Sequence, residues 1–327
     1  MMVNLKSGES RRSRREDYCT KAAAVSPGGE CPRWREFLAE ITGHDTELQA
    51  YLQRVAGYCM TGVTIEHVLF FCYGTGANGK SVFINTLTGI WGNYAVVAPM
   101  TAFTASKNEQ HPTDLAMLRG ARLVVANETE RGQRWAESKI KQLTGGDRIT
   151  ARFMRQDFFE FTPQFKLMIA GNHKPGLRGV DEAIRRRLHL IPFNVTIPPE
   201  KRDPQLFDKL KSEWKGILQW AVDGCLEWQR IGLAPPAAVR DATDAYLASE
   251  DSIANWLGEC CDIDKRATCK RSALFDSWKK WTEAAGEITG RQKDFFSSLE
   301  SKGFTQTGVK GQRLFRGLAL RPAENLL

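Results

Sequence analysis

Apolar residues recur along this chain in two rhythms, and their alternation sets the expected architecture. Short unbroken apolar runs stand at 67–72 (HVLFFC), 121–126 (ARLVVA), 165–170 (FKLMIA) and 188–193 (LHLIPF). Runs of this length and β-rich composition predict strands buried on both faces. Between them lie stretches with helical spacing at 82–87, 114–118 and 138–143, and a basic one at 181–187. Strands separated by helices predict an α/β fold with a largely parallel sheet in three layers. One segment departs from the pattern. Residues 149–154 and 158–161 flank Arg155-Gln156-Asp157, which predicts a β-hairpin with a polar tip.

On both sides of this core, taken as 64–200, the spacing is helical. Trp34, Phe37, Leu38 and Ile41 make one apolar face, and Leu48, Tyr51, Leu52, Val55, Ala56 and Tyr58 another. They predict a helical collar over 31–63. A helical segment is expected over 201–248, with Leu206, Leu210, Trp214, Ile217 and Trp220 facing inward. The last unit, 249–327, reads as helices at 273–285 and 291–302, then two β-like stretches around Gly308-Val309-Lys310-Gly311. That order predicts a winged-helix-like DNA-binding domain, its turn carrying Lys310, Arg313 and Arg316. Residues 1–30 are polar, with a basic cluster at Arg11-Arg12-Ser13-Arg14-Arg15 and a breaker at Ser26-Pro27-Gly28-Gly29. They are expected to form a disordered basic tail.

Charge narrows the partner. A formal net charge of +8 and a pI of about 9.1 favour an anionic partner such as nucleic acid. The 8 cysteines form no C-x-x-C pair, and no His pair has ligand spacing, which argues against zinc and against a disulfide scaffold. Reduced thiols, with no signal peptide and no apolar run of membrane length, point to the cytoplasm.

The chemistry begins at residue 74. Gly74, Thr75, Gly76, Ala77, Asn78, Gly79, Lys80 and Ser81 spell G-x-x-x-x-G-K-S between a predicted strand and a predicted helix. In such a P-loop, backbone N–H groups cradle phosphates, the lysine reaches the β- and γ-phosphates, and the serine hydroxyl ligates Mg²⁺. ATP with Mg²⁺ is therefore expected. Turnover needs an acid at the end of a neighbouring strand. Glu128 follows ARLVVA at that position; Asn127 stands where a second acid often sits, and Glu130 is a weaker candidate. Asn172, after FKLMIA, is placed to sense the γ-phosphate. Arg185, Arg186 and Arg187 precede the last core strand. One of them can stabilise transition-state charge from a neighbouring subunit, with Arg187 first and Arg186 second.

These segments together resemble a family. GTGANGKS, LVVANETE, the stretch from Lys141 to Pro175 and DEAIRRRLHLIPF look like the helicase domain of phage and plasmid primase-helicases, of superfamily 3. The resemblance is strong over about 30–200. It implies an AAA+-like core, a hexameric ring and ATP-driven DNA unwinding, usually 3′ to 5′. It places Lys80 and Ser81 in the A motif, Glu128 in the B motif, Asn172 as sensor, and the finger on Arg186 or Arg187. The hairpin would enter the ring channel and grip DNA phosphates through Arg152, Arg155 and Gln156, with Lys141 and Arg148 near. Family members usually carry a primase upstream; here the first residues look unlike the family, and a separate primase is the expected partner. The alternatives are a non-catalytic DNA-binding remnant and a P-loop kinase, the latter disfavoured by the hairpin and the arginine helix.

Overall fold

The computed structural model describes residues 1–105, 113–127, 132–177, 179–309 and 312–322. They form two compact units, Met1–Tyr246 and Leu247–Leu327.

The first unit opens on a small hairpin, β1 (Met2–Val3) and β2 (Ser10–Arg11). The expected tail is thus not disordered. Leu5, Ala23 and Val25 pack on the core, the Ala24 N–H donates to Ile90 O at 2.9 Å, and the Gly28 N–H donates to Lys215 O at 3.1 Å. Composition misled because three apolar contacts and a few backbone bonds suffice to hold a segment that lies along a wall built by others. The basic cluster is ordered locally as well: Arg11 pairs with Asp17.

Helix α1 (Pro32–Ile41) has proline at its first position and buries Trp34, Phe37, Leu38 and Ile41, the i, i+3, i+4, i+7 face its spacing predicts. Helix α2 (Thr46–Met60) is capped by Asp45, whose carboxylate accepts from the Leu48 N–H at 2.9 Å. Then come β3 (Leu69–Tyr73), α3 (Lys80–Trp91), β4 (Ala95–Val97), α4 (Thr113–Ala116), β5 (Leu123–Asn127) and α5 (Glu137–Gly145). A separate antiparallel pair follows, β6 (Ile149–Ala151) and β7 (Phe159–Phe161). The unit continues with β8 (Lys166–Gly171), α6 (Glu182–Arg185), β9 (Leu188–Pro192), α7 (Leu206–Ser212), α8 (Trp214–Ile231) and α9 (Ala237–Glu250), the last running past the unit boundary.

Five strands form one parallel sheet in the order β4-β5-β8-β3-β9. The four expected strands are its centre and one edge. The missed one, β4, is three residues long and half exposed, too short for an apolar run. Both faces are buried. Phe70, Cys72, Leu123, Val125, Met168, Ala170 and Ile191 share a core with α1, α2, α3 and α8, while Phe71, on the other face, meets Trp135 edge-on at 5.6 Å. Collar, core and the helices α7, α8 and α9 are therefore one packed body.

Two details lock α2 against this body. Lys166, at the start of β8 and only 2% exposed, donates to Thr61 O and Val63 O just past the end of α2 and lies over the Tyr58 ring at 4.7 Å. Burial pushes its ammonium down to about 7. Glycines let α2 and α8 touch. A Cβ on Gly57 would stand 2.1 Å from the Cys225 nitrogen, and one on Gly224 would stand 2.1 Å from the Gln53 carbonyl oxygen.

In the second unit, α10 (Ser252–Cys260), β10 (Cys261–Lys270), α11 (Arg271–Ala284), α12 (Gln292–Ser301), β11 (Thr305–Val309) and β12 (Gln312–Leu320) follow in order. The sheet is antiparallel, β10-β12-β11. Its core gathers Trp256, Leu274, Trp278, Phe295, Phe296, Leu299, Phe315 and Leu318. The two helices and the final β pair match expectation, although Lys310 lies outside the described residues. Strand β10 was not legible, since DIDKRATCK carries no apolar run and is mostly exposed.

Gly57→Ala forces backbone apart at the α2–α8 contact. It should cost roughly 3 kcal/mol, lowering Tm by roughly 6–12 °C; a thermal melt unchanged within 2 °C, about the effect of 1 kcal/mol, would contradict the close approach.

Candidate nucleotide site

Strand β3 lies between β8 and β9 in the parallel sheet, so the loop that follows it emerges where both of those strands also end. The loop is held from below and behind. Gly74 has φ 158 and lies against the next strand's exit: a Cβ there would be 2.3 Å from Phe193 O. Gly79, at φ 82, backs onto α1, where a Cβ would be 2.4 Å from Ile41 Cγ2. A side chain at either position would push the loop out of place. Gly76, at φ 104, has nothing within 4 Å of an ideal Cβ, so the loop's outer side is open.

Asn78 is buried and serves the loop. Its amide nitrogen donates to Phe193 O at 2.9 Å, and its Oδ1 accepts from Lys80 Nζ at 3.2 Å. Its side chain braces the loop from inside, a strut that only the polar residue within an otherwise Gly-rich turn hinted at. Thr75 and Ala77 are exposed, and the Ala77 carbonyl accepts from the Ile197 N–H at 2.8 Å.

Lys80 opens α3 and is 6% exposed. Its ammonium donates to Gly74 O at 2.7 Å and to Asn172 Oδ1 at 3.3 Å. These acceptors, like Asn78, are neutral oxygens. Burial lowers the ammonium's pKa, offset in part by the Cys72 thiol. A desolvated cation ringed by neutral dipoles attracts an anion strongly. Ser81, next in the helix, is exposed at its N-terminal turn, where backbone N–H groups favour phosphate. The donor set fits a nucleotide polyphosphate with Mg²⁺. Among the described residues no group of three or more His, Cys, Asp and Glu is assembled for a metal.

The neighbouring strands deliver what the sequence asked of them in part. Asn172 follows β8 and reaches Lys80, joining sensor and loop. Strand β5 pairs with β8 up to Asn127, which is exposed at the strand end. Glu128 and Glu130 lie outside the described residues. Lys174, not anticipated, places its ammonium 4.2 Å from the Tyr73 ring centre, beside the loop's entry.

The arginines divide. Arg187 is buried: its Nε donates to Thr144 Oγ1 at 3.1 Å and a terminal nitrogen to Ala183 O at 2.7 Å, tying α5 to α6. Burial lowers its pKa, with Arg186 adding to the effect. Its guanidinium is thus engaged within its own chain. Arg186 is exposed, as is Arg185, which pairs with Asp244 at 3.4 Å. Both precede β9, and the Leu69 N–H donates to Arg187 O at 2.7 Å. They therefore stand where β3 begins, and the P-loop where it ends, five residues or roughly 16 Å away.

At the hairpin, Arg155 turns at φ 61, with Gln156 beside it and both exposed; Arg152 lies over the Phe158 ring at 4.7 Å. The tip is more apolar than expected, since Phe153, Met154 and Phe158 are exposed as well. Arg148 pairs with Glu160 at 3.6 Å, and Lys141 is tied to Asp181 at the N-cap of α6.

Comparisons with known proteins agree with these features. Residues 72–187, which span the loop, hairpin and arginines, match a family of unknown function (DUF5906), and residues 1–43 match the D5 N terminal like family. The second match covers the opening segment that looked unlike the family in sequence. "Putative helicase 022R" of Frog virus 3 is 26% identical over 271 residues, covering 76% of this chain and 27% of that protein. "Putative helicase 184R" of Invertebrate iridescent virus 6 is 26% identical over 275 residues, 72% of this chain and 28% of that protein. The chain thus spans about a quarter of the length of the curated relatives it matches. Among solved structures, the apo structure of the NrS-1 C terminal region has a TM-score of 0.58 at 12% identity, covering 90% of this chain and 77% of that one. The chain is similar to a phage-type primase-helicase domain, as its motifs suggested.

The two arginines should separate by stability. Arg187→Ala strands Thr144 and the α6 carbonyl and should cost roughly 1–3 kcal/mol, whereas Arg186→Ala should leave Tm unchanged. Equal melting of both variants would contradict the buried role of Arg187.

Proposed function

We propose that this chain is an ATP-driven DNA motor, a replicative helicase of superfamily 3 with an AAA+-like core, working for a phage, plasmid or other mobile element. The observation that carries the proposal is the contact of Lys80 Nζ with Asn172 Oδ1 at 3.3 Å. It couples the phosphate-binding loop to the end of the adjacent strand, where a γ-phosphate would be sensed. The relatives named as helicases in viruses support the same direction.

In this proposal Lys80 binds the β- and γ-phosphates, and the loop N–H groups of 74–79 orient them. Ser81 and Glu128 are the residues to hold Mg²⁺, which neutralises phosphate charge. Glu128 also polarises the attacking water. The Asn172 amide exchanges its bond to Lys80 for one to the γ-phosphate or that water. Arg186 supplies charge to a neighbour's nucleotide, because it stands at the opposite end of the strands from its own loop. A site completed by a neighbour calls for a closed homo-oligomer, expected to be a hexamer. Arg152, Arg155 and Gln156 then project from the hairpin to a strand in the channel. The second unit, with three helices and an antiparallel sheet, serves as the winged-helix-like domain, and a primase is supplied separately.

Lys80→Ala should reduce ATP turnover at least about a hundredfold, measured as phosphate release with and without DNA. Unchanged turnover would sink the assignment. Arg186→Ala should be inactive alone, and mixing it with Lys80→Ala subunits should restore part of the activity. A chain that binds DNA but hydrolyses no ATP in any assembly is a binding remnant and not a motor.

A further inference from the structure

The second unit offers two surfaces to a polymer, the exposed side of α12 and the outer face of its sheet. Their charges differ. Within α12, the cation Lys293 is outnumbered by Asp294 and Glu300. Asp294 holds Arg291 at 2.9 Å, and Glu300 accepts a hydrogen bond from Gln306. The sheet is built otherwise. Strands β11 and β12 contain no carboxylate. In β10 the carboxylates are engaged locally: Asp262 pairs with Arg321 at 2.9 Å, and Asp264 accepts from the Arg266 N–H at 2.8 Å.

Register sorts the remaining side chains. Cys269, Phe315 and Gln306 lie in one row, and Phe315 is fully buried, so this row faces the core. Side chains alternate along strands. The rows on either side therefore face outward: Thr268, Arg316 and Thr305 in one, Lys270, Leu314 and Thr307 in the other. All are exposed except the half-buried Leu314. The ladder shifts register between Asp264 and Thr268, opposite Gly317 at φ 105, and this bulge carries Lys265 and Arg266. Arg316 Nε donates to Lys265 O at 3.1 Å, which fixes the bulge beside the outer face.

We propose that the second unit holds the phosphate backbone of double-stranded DNA on this sheet face, through Lys265, Arg266, Lys270 and Arg316 with the threonines between them, and that α12 does not read bases. Lysine, arginine and threonine side chains contact phosphates, and contacts of that kind carry no sequence information. Single-strand binders stack bases on aromatic rings. The aromatic residue of β10, β11 and β12 is Phe315, which is buried, so the face suits a polymer whose bases are already stacked inside. The proposal rests on the motor reading only in taking the polymer to be DNA; it requires no nucleotide.

The test is fluorescence anisotropy of the full chain on a labelled duplex of random sequence, over a salt series without ATP. Lys270→Ala combined with Arg316→Ala should weaken binding roughly tenfold and reduce the slope of log affinity against log salt by about 1.8, at about 0.9 per phosphate lost. Lys293→Ala with Ser297→Ala on α12 should stay within about twofold of the parent, the two exposed contacts being dispensable. All four side chains are exposed, so melting curves should lie close together, the sheet variant losing the solvent-exposed bond of Arg316 to Lys265 O. The proposal is overturned if the α12 variant shows the larger loss, if the sheet variant keeps the parent's salt slope, or if the sheet variant loses single-strand binding but not duplex binding. DNA-independent ATP turnover should be the same in parent and sheet variant. A parent without turnover whose duplex binding still depends on the sheet refutes the motor and supports this surface.

Discussion

One buried charge governs the first unit. The Lys80 ammonium sits among the carbonyl of Gly74 and the amide oxygens of Asn78 and Asn172. Holding a cation there without water needs those oxygens in place beforehand, since an unsolvated ammonium is costly. Each oxygen imposes a demand on the fold. The Gly74 carbonyl requires a backbone that passes Phe193 at a distance no side chain allows. Asn78 must be pinned by the Phe193 carbonyl, which requires β9 beside β3. Asn172 must come from a strand on the other side of β3, and β8 is that neighbour. The strand order β8-β3-β9 is thus what one lysine needs.

The same parallel order separates the site's two halves. All strands of the sheet end on the loop's side, so groups that precede a strand lie at the far edge. Arg186 precedes β9 and the hairpin precedes β8. Both therefore lie away from this chain's own loop. Arg187 shows how the far edge is stiffened: its guanidinium closes α5 onto α6, leaving Arg186 presented on a firm base. The opening segment, packed along α3 and α8, adds to the same body.

Much of this was legible in the sequence because parallel strands buried on both faces leave unbroken apolar runs. HVLFFC, ARLVVA, FKLMIA and LHLIPF each became a strand, and Asn172 at the end of one of them meets Lys80. What was lost obeys the same logic in reverse. Strand β4 is too short to make a run, and β10 is too exposed. The order of residues 1–30 comes in large part from surfaces of α3 and α8, far along the chain, which no local window contains. The burial of Arg187 was not legible because sequence shows a charge run and not which member points inward. The apolar hairpin tip was visible as Phe153, Met154 and Phe158, but strand propensity absorbed them into the flanking strands.

Lys80 has a counterpart that shows what distinguishes a binding cation from a structural one. Lys166 starts β8, in the same sheet, and is the more buried of the two. Its ammonium also meets neutral acceptors, Thr61 O, Thr61 Oγ1 and Val63 O, and the Tyr58 ring covers it. Three acceptors and an aromatic face saturate an ammonium's three donors. They also close its surroundings, so an anion has no way to approach. Lys80 meets oxygens of the same kind, yet one of them belongs to the exposed Asn172 and the loop beside it is open at Gly76. Burial and a lowered pKa are common to both lysines and so cannot mark the site. The difference lies in the partner that can leave: the Asn172 side chain can rotate into solvent and yield its place to phosphate, whereas the backbone carbonyls that hold Lys166 cannot.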